Sequence, residues 1–220
     1  MQKILSERVD ILEQLGQPSD RLFDEEQMYV YIENYAVTNK MEQTLRALPF
    51  AREQHKGQSR DGKEKIPYIY HPLLVTCHAL ALGLDDDNLI STALLHDVCE
   101  DCGVLPEDLP ANEAVKTAVS LLTKDASVKT EKGKGEHYGR IKQNPTAFMV
   151  KLLDRCNNVS SMTSGFSQKR MIKYIKETET YFYPMMKEGK TLYPEYSNQI
   201  FLIEYHIKSI VETLKHQLCI

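Results

Sequence analysis

Residues 94–101 read LLHDVCED, and His96, Asp97, Glu100 and Asp101 within them can each bind a metal or move a proton. Imidazole and carboxylate together suit a borderline or hard divalent ion such as Mn, Fe or Zn. Two adjacent ligands do not make a site, so the others must come from elsewhere. YIYHP sets His71 among apolar residues, and FMVKLLDRCNN sets Asp154 behind an apolar run. A lone carboxylate buried there would be costly without a counter-charge. An ion held by His71, His96, Asp97 and Asp154 has two imidazoles and two carboxylates and keeps room for water. Such a water loses a proton near neutral pH, against about 15.7 in bulk. Glu100 and Asp101, one turn further on, are placed to orient that water and shuttle its proton. On an unbroken helix His96, Asp97, Glu100 and Asp101 fall within an arc of about 140°.

Plainer readings exist for each piece. LLHDVCED reads equally as an acidic helix end that contains a histidine. Asp154 can pair with Lys151 or Arg155, and Asn158 can cap or bridge helices. The chemical reading rests on the ordered series: a His, then His-Asp-x-x-Glu-Asp, then Lys-x-x-Asp-x-x-x-Asn, each on an apolar helical stretch. Chance supplies one of these easily and the series rarely.

The elements that must position these groups are helical almost throughout. Apolar residues recur at three- and four-residue intervals in ILSERVDILEQL, and GQPSD then breaks the pattern. Further helices are expected over 24–38, from Met41 through MEQTLRALPFAREQH, and from Pro72 to Gly83. Pro72 suits a first helical position and should hold His71 extended, just outside the helix. LDDDNLISTALLHDVCED reads as one helix with an acidic first turn, which favours its dipole. Helices are also expected over 112–123, 135–142, 145–162, 167–187 and 194–217. Pro184 should end or kink its helix. Residues 57–70, with Gly57, Asp61-Gly62 and Pro67, suggest a short hairpin or ordered loop. The Lys/Gly-rich stretch 124–135 reads as a loop. The expected fold is all-α: an N-terminal helical extension over 1–40, a central bundle over 41–190, and a C-terminal helix over 191–220 packed on the same bundle.

Composition narrows the function classes. At 42% hydrophobic and 26% charged, the 220-residue chain can bury a substantial core. A net charge of -4 gives no general attraction to nucleic acid or anionic membranes. No stretch approaches the roughly 18 apolar residues of a membrane span. The N-terminus lacks the apolar core of a secretory signal, and the five cysteines are an odd number. These features point to a cytoplasmic protein with reduced thiols.

The stretches ALPFAREQHKGQSR, PYIYHPLLVTCHALALG, TALLHDVCED and VKLLDRCNNV together resemble the HD-domain metal-dependent phosphohydrolases. More narrowly, they are similar to the (p)ppGpp hydrolase branch of the Rel/SpoT proteins and their small stand-alone relatives. The resemblance runs over roughly 44–175 in the family's order. It implies an HD-domain helical bundle in which His71, His96, Asp97 and Asp154 hold one Mn ion. It also implies that Glu100 and Asp101 activate water and that Asn158 faces the ribose. Arg60 matches the arginine of a guanine-packing Arg-Lys pair, while Asp61 stands at the lysine's position and Lys63 is the nearby substitute. GFSQKRMIKYI matches a segment whose arginine and tyrosine lie near the phosphates, here Arg170 and Tyr174. Lys129, with Lys132 and Lys134, is a candidate for the phosphate-binding lysine.

Other features have ordinary explanations. Cys99-x-x-Cys102 invites a zinc or redox reading, but no second CxxC accompanies it and packing explains it. His55 reads as structural, and Tyr181, Tyr183, Tyr193 and Tyr196 as helix packing. His78, His137, His206 and His216 have no constellation around them. The resemblance implies hydrolysis of the 3′-pyrophosphate of guanosine tetra- and pentaphosphate by a small, hydrolase-only member. It leaves room for a homo-oligomer. A phosphohydrolase of another nucleotide and a non-catalytic nucleotide-binding HD module are the competing readings.

Overall fold

The computed structural model describes residues 24–62 and 65–220, so the expected helix in ILSERVDILEQL and the Lys63 side chain lie outside the described residues. The described residues form an all-helical bundle built on two buried helices. One is α4, Asp87–Leu95, in which every residue from Leu89 to Leu95 is buried. The other is α8, Pro145–Gly165, which buries an unbroken run from Ala147 to Cys156. Both start on side-chain caps. Asp86 accepts from Leu89 N, and Asn144 accepts from Ala147 N with Pro145 in the first turn.

Around this pair pack α2 (Glu42–Gln54), α3 (Tyr70–Ala81), α6 (Glu113–Leu122) and α7 (Glu131–Ile141), and α1 (Glu25–Thr38) packs outside them on α2 and α3. The short α5 (Val98–Cys102) follows α4, and α9 (Gln168–Glu177), α10 (Tyr183–Leu192) and α11 (Ser197–Leu218) complete the described chain. Helix α1 shows the logic of the outer layer. It buries Met28, Ile32 and Ala36, four residues apart, and leaves its other faces in solvent. A tertiary cap ties α2 to α4, because Asp87 accepts from the amides of Gln43 and Thr44 at 3.0 and 2.9 Å. The last helix, α11, lies along α8. No helix among the described residues is long and apolar enough to cross a membrane.

The segment before α3 is a minimal hairpin. Arg60 N donates to Ile66 O, Tyr68 N to Gln58 O, and Ser59 bridges Pro67. Its tip packs on the end of α8 at Gly165, where an added Cβ would lie 2.4 Å from the Asp61 carbonyl oxygen. Only glycine permits that approach.

Three local expectations change, and a fourth is met in a particular form. Helix α3 starts at Tyr70, so His71 is helical and Pro72 is the third residue; first-turn amides lack intrahelical acceptors, so the proline costs nothing there. The expected single helix through LLHDVCED breaks after Leu95, with Asp97 at φ -101° and ψ -7°, in the sparsely populated bridge region. The loop expected over 124–135 is a 3-10 turn (Ala126–Lys129) followed by α7, which Thr130 caps through Gly133 N. Its glycines suggested a loop, but a Cβ on Gly133 would sit 1.9 Å from the Ser127 carbonyl oxygen, so close packing demands the residue. At Pro184 the disruption takes the form of a π turn over Thr178–Phe182, which joins α9 to α10 and loosens the backbone ahead of the ring.

Candidate active site

Three buried elements meet at one point: the first turn of α3, the break after α4, and the middle of α8. His71 Nε2 lies 3.3 Å from His96 Nε2, 3.2 Å from Asp154 Oδ1 and 3.6 Å from Asp97 Oδ2. His96 Nε2 lies 3.1 Å from Asp97 Oδ2 and 4.0 Å from Asp154 Oδ1. The break makes this possible, because it turns His96 and Asp97 together toward α8 where a continuous helix would spread them.

Both imidazoles are oriented from behind. His71 Nδ1 is 2.6 Å from Asn157 Oδ1, and His96 Nδ1 is 2.8 Å from the Ala93 carbonyl oxygen. Those oxygens only accept, so each Nδ1 donates and each Nε2 points a lone pair inward. Two lone pairs and two carboxylates then face one another in a buried space, an arrangement that needs positive charge between them. His71, His96 and Asp97 stand close enough to hold a divalent ion there, Asp154 Oδ1 faces the two Nε2 atoms and could complete the set, and nitrogen and oxygen donors fit such an ion. With protons alone, burial pulls the His96 imidazole down but the Asp97 carboxylate outweighs it and lifts the ring to about 9. Burial lowers His71. Asp97 and Asp154 are held below the usual carboxylate range despite burial, by His96 and by Lys151 respectively.

The surrounding contacts satisfy what remains. Tyr68 OH donates to Asp97 Oδ2 at 2.7 Å, and Lys151 Nζ donates to Asp154 Oδ2 at 2.8 Å. Asn158 donates to Asp154 Oδ1 and accepts from Arg60 Nη2 at 2.6 Å. The Lys151 pairing expected of a structural Asp154 is therefore present, yet it engages only one of the two oxygens. Arg155 does not pair with Asp154; it donates to Glu177 Oε1 at 2.6 Å with Tyr174 and Phe182 against its guanidinium.

A cavity of about 660 Å³ opens from this centre. Asp97 and Asp154 form its floor, Glu100 and Asp101 one wall, and Arg60, Lys124, Arg155 and Arg170 supply cations. Glu100 accepts from Lys124 Nζ at 2.9 Å. Burial, with the Asp97 and Glu100 charges, pushes the Asp101 carboxyl up despite an opposing bond from Tyr68. Tyr174 and Phe166 add aromatic surface, and Arg170 pairs with Asp61 at 2.6 Å across the rim.

Most residues singled out in the sequence thus meet around one cavity: Asp97, Glu100, Asp101, Asp154, Arg60, Asn158, Arg170 and Tyr174 line it, and His71 and His96 lie directly behind Asp97 and Asp154. Lys129 does not; it is exposed on the 3-10 turn, away from the cavity lining. Lys124, just after α6, lines the cavity instead. Sequence reasoning also passed over Tyr68, Asn157 and the inward role of Lys151. Their signals were present, since Tyr68 precedes His71 by one turn and Asn157 sits beside Asn158. His55 is structural as expected: buried, bonded to Gln58 and stacked on Tyr68 with ring centroids 4.8 Å apart. Cys99 packs against the core, and Cys102 lies beside His55 and Gln58. Tyr181 and Tyr193 bond Glu131 and the Lys142 carbonyl, away from the cavity.

No family model matches the chain, but individual relatives do. A guanosine-3′,5′-bis(diphosphate) 3′-pyrophosphohydrolase of Aquifex aeolicus is 34% identical over 150 residues, which cover 66% of this chain and 21% of that protein. The Vibrio cholerae protein of the same name is 30% identical, covering 70% of this chain and 22% of its own length. The chain thus spans about a fifth of these two relatives. The Xenopus tropicalis 3′-pyrophosphohydrolase MESH1 is 32% identical over 142 residues, covering 60% of this chain and 78% of that protein. A solved structure described as a metazoan ortholog of SpoT that hydrolyzes ppGpp superposes with a TM-score of 0.62, over 78% of this chain and 95% of that one. At 20% identity this likeness speaks to the fold. With the Xenopus relative matched over most of its length, the chain belongs to the HD-domain family of Rel/SpoT-type guanosine-3′,5′-bis(diphosphate) 3′-pyrophosphohydrolases.

Proposed function

We propose that the chain hydrolyses the 3′-pyrophosphate of ppGpp and pppGpp, releasing pyrophosphate with GDP or GTP. The observation that carries this is the convergence of His71 and His96 on Asp97 and Asp154, which form the floor of a cavity whose walls hold cations. In this reading the four residues hold Mn, with Fe or Zn as the other ions their donor set accepts. A bound ion would polarise a phosphate oxygen and make water acidic near neutral pH.

The chain's own groups supply the rest. Asn157 and the Ala93 carbonyl keep the two Nε2 atoms aimed inward, and Lys151 balances the charge of Asp154. Asp101, its carboxyl held up by burial and nearby charge, exchanges a proton with water in the cavity, and Glu100 orients that water. Lys124 and Arg170 stand where the pyrophosphate charge would accumulate. Arg60, braced by Asn158, offers a planar guanidinium to the base.

One observation favours a second reading, a phosphohydrolase of another nucleotide. Asp61 occupies the position where the family carries lysine, and it engages Arg170. Purified chain with Mn, incubated with ppGpp, GTP, NADPH and nucleoside monophosphates, separates the two. Pyrophosphate released from ppGpp alone, and abolished by chelator, is expected. Free phosphate from the other nucleotides would support the second reading, and no turnover with metal bound would indicate a non-catalytic module.

A further inference from the structure

On the far side of α8 from Asp154 lies a second convergence. Residues two apart on a helix point about 200° away from each other, so Cys156 faces away from the cavity while Asp154 faces into it. Two histidines reach the same place from other helices, His78 from α3 and His206 from α11. One ligand atom from each of His78, Cys156 and His206 lies within 4.8 Å of the other two. The sequence hides this group, because its members are 78 and 50 positions apart and no spacing of ligand types links them.

We propose that His78, Cys156 and His206 form a second metal site, distinct from the His/Asp centre, which takes a thiophilic divalent ion such as zinc. Three donors of the nitrogen and sulfur class with a position left for water are a recurrent zinc set. Around a tetrahedral zinc, with bonds of about 2.0–2.3 Å, neighbouring donors stand on the order of 3.5 Å apart. Small side-chain rotations close the observed spacing to that value. The geometry is graded for access: Cys156 is buried, His78 is partly buried, and His206 is exposed, so an ion enters from solvent past His206. The His206 ring is held toward α8 by Ser160 Oγ, 3.3 Å from its Nε2. On binding, the Cys156 S–H bond is replaced by a sulfur–metal bond and the proton passes to solvent, with no change of oxidation state.

The sulfur separates this site from the other. The His/Asp centre has only nitrogen and oxygen donors and prefers a harder ion, whereas thiolate and imidazole select zinc. An ion held here would join α3, α8 and α11, and so clamp the last helix onto the helix that carries Asp154.

Cobalt(II) tests this directly, because thiolate-to-cobalt charge-transfer absorption requires a sulfur ligand. The full chain is loaded with Mn, then titrated with cobalt(II) alone. We expect a charge-transfer band that saturates at one equivalent and vanishes in Cys156→Ala. In His206→Gln, at an exposed position that leaves the core intact, the affinity should fall at least about tenfold. Zinc should raise the Tm of the wild type and not of His206→Gln. Absence of the band in the wild type would overturn the proposal. So would a band of wild-type strength and affinity in His206→Gln, which remains informative if Cys156→Ala fails to fold.

Discussion

The floor and the rim of the cavity are built in opposite ways. At the floor, Asp154 and the two imidazoles behind it, His71 and His96, are 6%, 1% and 3% exposed, and each is held by at least one polar neighbour. At the rim, the Arg170 and Asp61 side chains are 51% and 69% exposed and rely chiefly on each other. A buried polar group without a partner is costly, so the floor can exist only in one arrangement that satisfies every atom. An exposed ion pair contributes little and rearranges easily. The floor is therefore the fixed part of the cavity, and the rim is the part that can change without disturbing the fold.

That contrast can be broken most severely at Asp154. Asp154→Asn should abolish metal binding at the floor and lower kcat/KM by at least about a thousandfold. It should also destabilise the chain by about 3–5 kcal/mol, because Lys151 is left buried without its counter-charge. Metal analysis and denaturant unfolding measure the two effects separately. Asp101→Asn sharpens the division within the wall: bound metal should stay at the wild-type level while kcat falls about a hundredfold or more. Full activity in that variant would remove Asp101 from the proton path.

Acid should strike the support beneath the cavity next. Burial pushes Glu177 up, but the Arg155 guanidinium outweighs it and holds the carboxyl at about 2, below its ordinary 4.5. Its folded value is depressed, so its contribution is complete above about 4.5 and is lost as pH falls toward 2. Unfolding midpoints followed from pH 5 to pH 2 should show a loss of up to about 3 kcal/mol, which Glu177→Gln removes. The smallest effect is expected at the rim. Asp61→Lys frees Arg170 and adds a cation, so the KM for ppGpp should fall about threefold to tenfold. Metal content and Tm should not move. An unchanged KM would show that the Asp61–Arg170 pair does not touch the substrate.

Legibility followed the same division. The four floor residues could be read from the chain because residue type and order announce them: His before a helical run, His-Asp behind two leucines, Asp inside KLLDRCNN. Their orientation could not. Asn157 behind His71 and Tyr68 above Asp97 act across 86 and 29 positions, and no local pattern encodes a contact at that separation. Lys129 was misplaced for a related reason. Several lysines in one stretch look alike in sequence, and only the path of the chain after α6 brings Lys124 to Glu100 instead. The α4 break was invisible too, since DVCED carries no glycine or proline to signal it.

By itself, the sequence determined that the chain is helical, through apolar residues recurring at helical spacing, and that it carries two histidines and two aspartates of a type that can donate to a metal, through residue chemistry. The tertiary structure decided how those donors are aimed, which cations face them, and that His78, Cys156 and His206 meet behind the same helix. The physical reason is that periodicity is a property of neighbours along the chain. Convergence depends on how buried helices cross, and the packing of the whole core sets those crossings.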